Sequence, residues 1–412
     1  MKLEKYILLL STLTITVFSI TMLVSMPNAV AAENSCISYN TKEHEISISC
    51  KYANFIDIED ELQNQNILYR ESNPSNFNEK NWILNTGIRV EKDATLNIDS
   101  DDVTWLKIVP SLDSPNAIKV DGSLKIDNVK ITSWNPQTKD YVKFSDDPKY
   151  NETKYVEEIR PYIKVNSGAT GPTIIQNSEL AYLGYSCNGC GGVSFNGGEY
   201  SILKNNAIHH IYKGFYSKGM GYMLIEGNRV YSNEKYGIDP HTGTHHMLIL
   251  NNIVYDNYNA GIICSADCYN ILIEGNKVYN NGHGENMRGI AVSKNVSNTI
   301  IKNNIVYDED KCISIGRDSY DNSVYDNTLS NCKYGVYVTK NSFNNEIHDN
   351  KIDNVEYGLV ATDESVKNVF HSNTITDAKV EVAAQDKSSI GNAFKNNKKM
   401  VSFDKLENNN IK

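Results

Sequence analysis

Short stretches in which apolar and polar residues alternate run through most of this chain from Trp82 onward. Alternation with a period of two is typical of β-strands that bury one face. A polar insertion from about Trp134 to Ile159 interrupts these stretches and is predicted to be a loop or flap. Residues 33–80 lack clean alternation, so we interpret them as a lead-in or cap before the strands.

A repeat becomes plain in the second half of the chain. An Asn followed two positions later by Ile, Val or Leu recurs along it, and six of the seven intervals are close to 23 residues. The anchoring residues are Asn206, Asn228, Asn252, Asn276, Asn304, Asn327, Asn350 and Asn373. The longer interval, from Asn276 to Asn304, contains an insertion that begins at His283. Self-similarity at this period predicts a solenoid.

The residue types in each repeat favour strands over helices. Each repeat has two short β-rich segments with Asn and Gly corners, and the leucine ladder of leucine-rich repeats is missing. The remaining candidate is an all-β right-handed parallel β-helix with one turn, or rung, per repeat and about 4.8 Å between rungs. The tyrosines three residues after the anchoring Asn, such as Tyr231 and Tyr255, are predicted to stack, and the Asn residues to hydrogen-bond one another.

The N-terminus predicts export. Lys2 and Lys5 precede an apolar run from Tyr6 to Met26, and small residues near Ala31 offer a cleavage site. The run is also long enough for an uncleaved membrane anchor. The predicted division is therefore 1–32 signal peptide or anchor, 33–80 lead-in, 81–400 β-helix catalytic domain and 401–412 C-terminal tail.

The eight cysteines fit disulfide bonds in an exported chain. Local spacing suggests four pairs, which are Cys36–Cys50, Cys187–Cys190, Cys264–Cys268 and Cys312–Cys332. The Cys187-Asn-Gly-Cys190 spacing also occurs in zinc sites, but no second CxxC or spaced His pair accompanies it. The formal net charge of -10 argues against a nucleic-acid partner, and a local basic groove for a polyanion remains compatible with it.

One rung differs from its neighbours in chemistry. It reads Tyr236-Gly-Ile-Asp239-Pro-His241, and neighbouring repeats have aliphatic residues in place of Asp239 and Ser or Thr in place of His241. Asp239 and His241 lie two and four positions after Gly237, so a strand points both to one face. Tyr236 has an odd offset from Asp239 and reaches that face only if the chain turns a corner at Gly237.

The preceding and following rungs predict which side chains surround this one. Tyr216 and Lys218 fall beneath Asp239 and His241, and Ser265 falls above, with Asp267 just beyond. Lys213 and Arg288, each directly before a Gly, fall in the column of Tyr236, where Tyr334 and Tyr357 also occur without an Asp-Pro-His partner. Tyr236 alone therefore also fits a structural role, as a lone lysine or histidine would.

Together these groups can remove the proton α to the carboxylate of an acidic sugar. A cation or a protonated Asp neutralises the carboxylate, a neutral His accepts the proton and a Tyr donates one from the other face. Reprotonation from the opposite face gives epimerisation, whereas departure of the glycosidic oxygen gives a lyase reaction. A non-catalytic carbohydrate-binding β-helix is the alternative from another class.

The segment Tyr236–His241, followed by Met247-Leu-Ile-Leu-Asn-Asn-Ile-Val-Tyr-Asp-Asn257, resembles the catalytic segment of the mannuronan (alginate) C5-epimerases. The resemblance implies a right-handed parallel β-helix with an open groove for a polyuronate, and catalytic roles for Tyr236, Asp239 and His241. The family's catalytic lysine corresponds to Lys218 by register or to Lys213 as second choice, and its carboxylate-binding arginine to Arg288.

The resemblance also implies which partners to expect. It implies an acidic polysaccharide as substrate, with Arg288 as its carboxylate-binding residue. Register adds Lys213, Tyr216, Ser265 and Asp267 as expected binding residues. The N-terminal segment predicts a secreted or cell-surface protein, which we expect to be a monomer. No calcium-binding nonapeptide arrays follow the repeats, so single-module epimerases match better than multi-module ones. The sequence requires no cofactor and leaves calcium open.

Overall fold

The structure is a computed structural model that describes residues 35–71, 79–111, 115–143, 159–282, 288–384 and 389–400. The predicted signal peptide or anchor, the C-terminal tail, most of the insertion near 134–159 and the insertion at His283 lie outside the described residues. Residues Cys36–Lys412 form one compact unit. In the described part of the chain, no helix combines the length and the apolar character needed to cross a membrane.

The described residues form short strands and one α-helix, α1 (Phe55–Leu62). The strands are β1 (Ile37–Asn40), β2 (Glu45–Ile48), β3 (Leu68–Arg70), β4 (Asn81–Leu84), β5 (Gly87–Val90), β6 (Thr95–Asp99), β7 (Trp105–Ile108), β8 (Ala117–Val120), β9 (Ser123–Asp127), β10 (Lys130–Ser133), β11 (Tyr162–Val165), β12 (Thr173–Gln176), β13 (Glu179–Ala181), β14 (Gly192–Phe195), β15 (Ile202–Lys204), β16 (Ala207–His209), β17 (Lys213–Lys218), β18 (Leu224–Glu226), β19 (Arg229–Tyr231), β20 (Tyr236–His241), β21 (Leu248–Leu250), β22 (Ile253–Tyr255), β23 (Ala260–Ser265), β24 (Leu272–Glu274), β25 (Lys277–Tyr279), β26 (Arg288–Ser293), β27 (Ile300–Lys302), β28 (Ile305–Tyr307), β29 (Lys311–Gly316), β30 (Ser323–Tyr325), β31 (Thr328–Ser330), β32 (Tyr334–Val338), β33 (Glu346–His348), β34 (Lys351–Ala361), β35 (Val369–His371), β36 (Thr374–Ala384), β37 (Ala393–Lys395) and β38 (Lys398–Met400).

These strands wind into a parallel β-solenoid, which confirms the predicted fold class. A typical turn contributes three strands, and from β4 onward strands of successive turns pair in parallel, as β18 does with β21, β19 with β22 and β20 with β23. Because a turn carries three strands in about 23 residues, one repeat in the sequence equals one turn of the structure.

The N-terminal segment closes the first turns with local elements. The strands β1 and β2 form an antiparallel hairpin, and β2 already pairs in parallel with β5. Asn54 caps α1 in a capping box with Asp57, and Phe55 packs on Trp82 with ring centroids 5.6 Å apart. Helix α1 therefore lies against the first turn of the solenoid rather than forming a separate domain.

Stacked columns of identical residues hold the turns together. The inward column that contains Ile238 and Ile262 is fully buried, and burial of each such side chain contributes about 1.5–3 kcal/mol. At one corner the side-chain amide of Asn228 donates to Oδ1 of Asn252 at 2.9 Å, and Asn252 donates in turn to Asn276 at 3.0 Å. This confirms the predicted Asn ladder, which satisfies backbone and side-chain groups that would otherwise be buried without partners.

The predicted tyrosine ladder is also confirmed. The rings of Tyr231, Tyr255, Tyr279 and Tyr307 stack with centroids 4.9–5.1 Å apart and nearly parallel planes. Each ring face is covered by its neighbour, so the ladder presents ring edges to solvent. This arrangement supports the architectural interpretation of the column.

Three of the four predicted disulfides are present, namely Cys36–Cys50, Cys187–Cys190 and Cys312–Cys332. The predicted Cys264–Cys268 bond is wrong, since both thiols are free and buried. Cys264 lies on β23 with its side chain in the core, whereas the Cys268 thiol donates to the Ser265 carbonyl at 3.1 Å. Both thiols lie in the same buried core, so spacing and burial together still do not determine that a disulfide forms.

Candidate active site

The candidate site lies on one face of the solenoid, which we call the site face. It is formed by successive strands one turn apart, which are β14, β17, β20, β23, β26, β29 and β32. On this face Tyr216 pairs with Asp239, and Lys218 pairs with His241, which pairs with Ser265. The register predicted from the recurring Gly is therefore confirmed.

Tyr236 reaches the site face because the strand breaks its alternation at Gly237. A Cβ atom at Gly237 would lie 2.6 Å from Cγ1 of buried Val254, so this position faces the interior, as does Ile238. Two consecutive inward positions leave Tyr236 on the outside together with Asp239. Its half-buried ring packs on Ala260, Ile263 and Ala291. Only glycine fits at 237, which explains its recurrence at this position in the repeats.

Asp239 is fully buried on this face even though it points away from the core. The ammonium of Lys213 stands 3.5 Å from its Oδ2, and neither carboxylate oxygen has a closer hydrogen-bonding partner among the described residues. Burial raises the pKa of Asp239 to about 7, although Lys213 acts in the opposite direction. Burial thus favours the neutral carboxylic acid, whereas Lys213 favours the carboxylate.

Lys213, rather than Lys218, belongs to the cluster. Lys213 is largely buried, and its ammonium lies 4.1 Å from the centroid of the Tyr216 ring as well as near Asp239. Burial lowers its pKa, and the Asp239 carboxylate opposes this effect. Lys218 is exposed at the end of β17, beside His241. Lys218, the first choice for the catalytic lysine, therefore lies at the edge of the cluster, and Lys213, the second choice, lies inside it.

His241 has the environment of a base that is neutral at pH 7. Burial lowers the pKa of His241, and the positive charges of Lys213, Lys294 and Lys218 lower it further. Its Nδ1 hydrogen-bonds the hydroxyl of Thr242, whereas Nε2 has no partner among the described residues. The ring centroid lies 5.7 Å from that of Tyr216.

Two of the predicted binding residues, Ser265 and Asp267, differ in their distance from the cluster. Ser265 stands beside His241 on the next turn, half-buried on the site face. Asp267 is exposed in a turn with φ of 63°, where it accepts a hydrogen bond from the Asn295 side chain at 2.7 Å. Asp267 thus lies outside the cluster around Asp239.

Arg288 stands two turns beyond Tyr236 in the same column, with the small Ala260 between them. Burial lowers the pKa of Arg288, and the nearby Arg317 lowers it further. Its Nε is buried without a hydrogen-bonding partner among the described residues. A guanidinium in this state is suited to bind an anion.

A cavity of about 200 Å³ extends from Arg288 along the site face. Its lining includes Arg288, Lys311, Arg317, Tyr337, Lys340 and Asp363. Lys311 pairs with Asp310, and Asp363 accepts a hydrogen bond from Thr339. Sequence reasoning missed Arg317 and Lys340. Gly316 occupies the column of His241, and Arg317 is the next residue, so extending the register would have found it.

In the described ranges, no cluster of three or more His, Cys, Asp or Glu side chains could hold a metal ion.

Comparisons with known proteins agree with this architecture. The family model described as "Right handed beta helix region" matches residues 116–287 and 263–398, and the chain belongs to this family. A crystal structure of the periplasmic alginate epimerase AlgG superposes with a TM-score of 0.73, at 20% identity, over 86% of this chain and 85% of that one. The AlgE6 A-module of the Azotobacter vinelandii mannuronan C-5 epimerase superposes with a TM-score of 0.50, at 15% identity, over 77% of this chain and 91% of that one.

Two sequence relatives are also mannuronan C5-epimerases. The mannuronan C5-epimerase of Pseudomonas aeruginosa is 27% identical over 179 residues, which are 40% of this chain and 30% of that protein. The chain thus spans less than a third of the length of this curated relative. The predicted resemblance to mannuronan C5-epimerases is confirmed, and the solved structures establish the shared fold.

Proposed function

We propose that the protein is a polyuronate C5-epimerase that converts β-D-mannuronate into α-L-guluronate residues within the polymer. The observation that carries this proposal is the cluster on the site face. There His241 has a lowered pKa, Tyr236 and Asp239 lie on the same strand, Lys213 lies one turn before, and Arg288 lies two turns beyond. The similarity to mannuronan C5-epimerases supports the same reaction.

The first requirement of the reaction is to neutralise the sugar carboxylate. The C5–H of a uronate is weakly acidic, because removing its proton places a second negative charge next to the carboxylate. Arg288 and Lys213 supply positive charge, and Asp239 with a pKa of about 7 can supply a proton. Charge stabilisation of this kind, in a site that excludes water, is often the largest contribution to catalysis.

Proton removal and return need two groups on opposite sides of the sugar ring. In our scheme Nδ1–H of His241 donates to Thr242, so that Nε2 has a lone pair that accepts the C5 proton. Burial and the Asp239 carboxylate raise the pKa of Tyr236, so its hydroxyl keeps its proton at neutral pH and can deliver it to C5. The sugar ring then lies between His241 and Tyr236, over Ala260 and Ile263.

The surroundings of the site suit an exported enzyme that acts on a polyanion. The cations around the cavity beyond Arg288 provide positive charge for neighbouring uronate units of the same chain. Three disulfides are typical of proteins in an oxidising compartment.

The test is proton NMR of the purified protein with polymannuronate in deuterated water, with and without a chelator. We expect guluronate signals and deuterium at C5. Loss of both in His241→Ala, but not in His371→Ala, would place the activity at the site, since His371 is half-buried on another face of the solenoid. An unsaturated, ultraviolet-absorbing product would identify a lyase instead. No deuterium incorporation into any polyuronate by the wild type would refute the enzymatic proposal.

A further inference from the structure

A small disulfide-closed loop lies next to the candidate site. It connects β13 to β14 and spans Gly184–Gly191, with Cys187 and Cys190 bonded at a Cα–Cα distance of 5.3 Å. The backbone N–H of Tyr185 donates to the Cys190 carbonyl at 2.9 Å, so the loop folds back on itself.

This loop contacts the lysine that pairs with Asp239. The backbone N–H of Lys213 donates to the Gly191 carbonyl at 2.7 Å. Gly191 also faces the aliphatic stem of Lys213, since a Cβ atom at Gly191 would lie 3.3 Å from both Cβ and Cδ of the lysine. The loop therefore covers the stem on one side, while the Tyr216 ring lies 4.1 Å from the ammonium.

A buried arginine anchors the other end of the loop. Arg160 is fully buried, and its Nε donates to the Gly184 carbonyl at 2.8 Å. The same guanidinium donates to Glu234 at 2.8 Å, two residues before Tyr236. One side chain thus links the base of the loop to the corner from which the Asp-Pro-His strand begins.

The outer sulfur of the disulfide is accessible. Cys187 is exposed, whereas Cys190 is 7% exposed and faces Tyr162 and Tyr185. A solvent thiolate can therefore attack the Cys187 sulfur, with Cys190 leaving as a thiolate. The second thiol of a dithiol then releases Cys187, so that the dithiol is oxidised to a disulfide and the protein pair gains two electrons.

From this arrangement we propose that the Cys187–Cys190 loop is a clamp that positions Lys213 against Asp239, and that opening its disulfide with an external thiol weakens the candidate site. The effect on activity rests on the proposed function, whereas the effect on Lys213 does not. A misplacement of about 1 Å can cost about a hundredfold in rate, so loosening the stem is expected to matter.

The main experiment compares Cys187→Ser/Cys190→Ser with Cys36→Ser/Cys50→Ser in the full chain. The second pair lies at the start of the solenoid, five strands from β17 along the site face. Competitive acetylation followed by mass spectrometry gives the pH midpoint of Lys213 labelling. We expect the Lys213 midpoint to rise toward about 10.4 in the first variant and in dithiothreitol-treated wild type, and to stay unchanged in the second.

Activity on polymannuronate provides the second readout. We expect kcat/KM to fall about ten- to a hundredfold in Cys187→Ser/Cys190→Ser. Gly191→Ala keeps the disulfide and crowds the stem, and Gly168→Ala is its matched control, because a Cβ there would meet nothing closer than 4.0 Å. We expect only the first of these glycine variants to lower the rate.

The outcomes separate the two proposals. An unchanged Lys213 midpoint in the open-loop variant would overturn the clamp. A moved midpoint with a full rate on the polymer would overturn the claim that opening the disulfide weakens the site. A wild type that is inactive on every polyuronate would refute the proposed function, and the labelling midpoint would still decide whether the loop positions Lys213.

Discussion

The ammonium of Lys213 stands 3.5 Å from the carboxylate of Asp239, one turn of the solenoid away. The two residues are 26 positions apart in the sequence and meet because β17 and β20 pair in parallel. Burial raises the pKa of Asp239 to about 7 and lowers that of Lys213, so each group limits the shift of the other. Asp239 therefore holds its proton to higher pH than an exposed aspartate would.

We predict that Asp239→Asn lowers the rate of C5 deuterium exchange about 10²–10³-fold, the range seen when one preorganised electrostatic group is removed. The labelling midpoint of Lys213 should fall as well, because the carboxylate no longer opposes the effect of burial. The matched control is Asp267→Asn, since Asp267 is exposed and its side chain accepts a hydrogen bond from Asn295 outside the cluster around Asp239. Similar losses in both variants would contradict the assignment of Asp239.

The pH dependence of the rate should respond to Lys294. Neutral His241 is the proposed base, so activity is lost as the pH falls through its pKa, which burial and neighbouring cations hold below the ordinary value. Lys294→Gln removes one of these cations and should move the acid limb of kcat/KM to higher pH. The shift should shrink in high salt, because screening weakens the interaction with an exposed charge.

Lys277→Gln is the control for that measurement, since Lys277 is exposed on the tyrosine-ladder face. An acid limb that moves equally in both variants would show that overall charge, and not the field at His241, determines it.

Tyr236 and Tyr357 occupy the same column of the site face, and only Tyr236 has Asp239 and His241 beside it. We predict that Tyr236→Phe lowers kcat about 10²–10⁴-fold, because the proposed acid is removed while the ring still packs on Ala260. Tyr357→Phe should retain the wild-type rate. Equal rates in the two variants would assign the Tyr236 hydroxyl a structural role only.

Glu309 should make stability depend on pH. It occupies a ladder position next to Asn281, whose side-chain amide donates to Glu309 Oε1 at 2.9 Å, and burial raises the pKa of Glu309 to about 8. Because the folded pKa exceeds the unfolded value of 4.5, the unfolded state binds fewer protons between these values. The stabilisation present below pH 4.5 is therefore lost as the pH rises toward about 8.

Glu309→Gln keeps the acceptor oxygen and cannot ionise, so it should remove this slope. The free energy of unfolding of the variant should exceed that of the wild type at pH 8 by several kcal/mol at most, since one pKa unit corresponds to about 1.4 kcal/mol. Urea denaturation at several pH values measures the difference. A parallel pH profile in the variant and the wild type would show that Glu309 is already solvated and ionised.

Much of the site could be predicted because the repeat converts sequence spacing into spatial columns. The pairings of Asp239 with Tyr216 and of His241 with Lys218 and Ser265 follow from counting residues after each Gly. Counting failed where a side chain bends out of its column. Lys213 lies three residues before Tyr216, the register partner of Asp239, and still reaches the Asp239 carboxylate, whereas Lys218, the register partner of His241, is exposed.

The sequence by itself determined the solenoid, the ladders of Asn and Tyr, and the rung that contains Asp239 and His241. These features are periodic, and a period of about 23 residues survives small changes in the loops. Only the tertiary structure decided that Asp239 is buried and that Lys213 is the cation beside it. It also decided that Tyr236 faces outward and that Cys264 and Cys268 are free thiols. Burial and pairing depend on side chains from adjacent turns, and the distance between two side chains is set by their conformations as well as by their register.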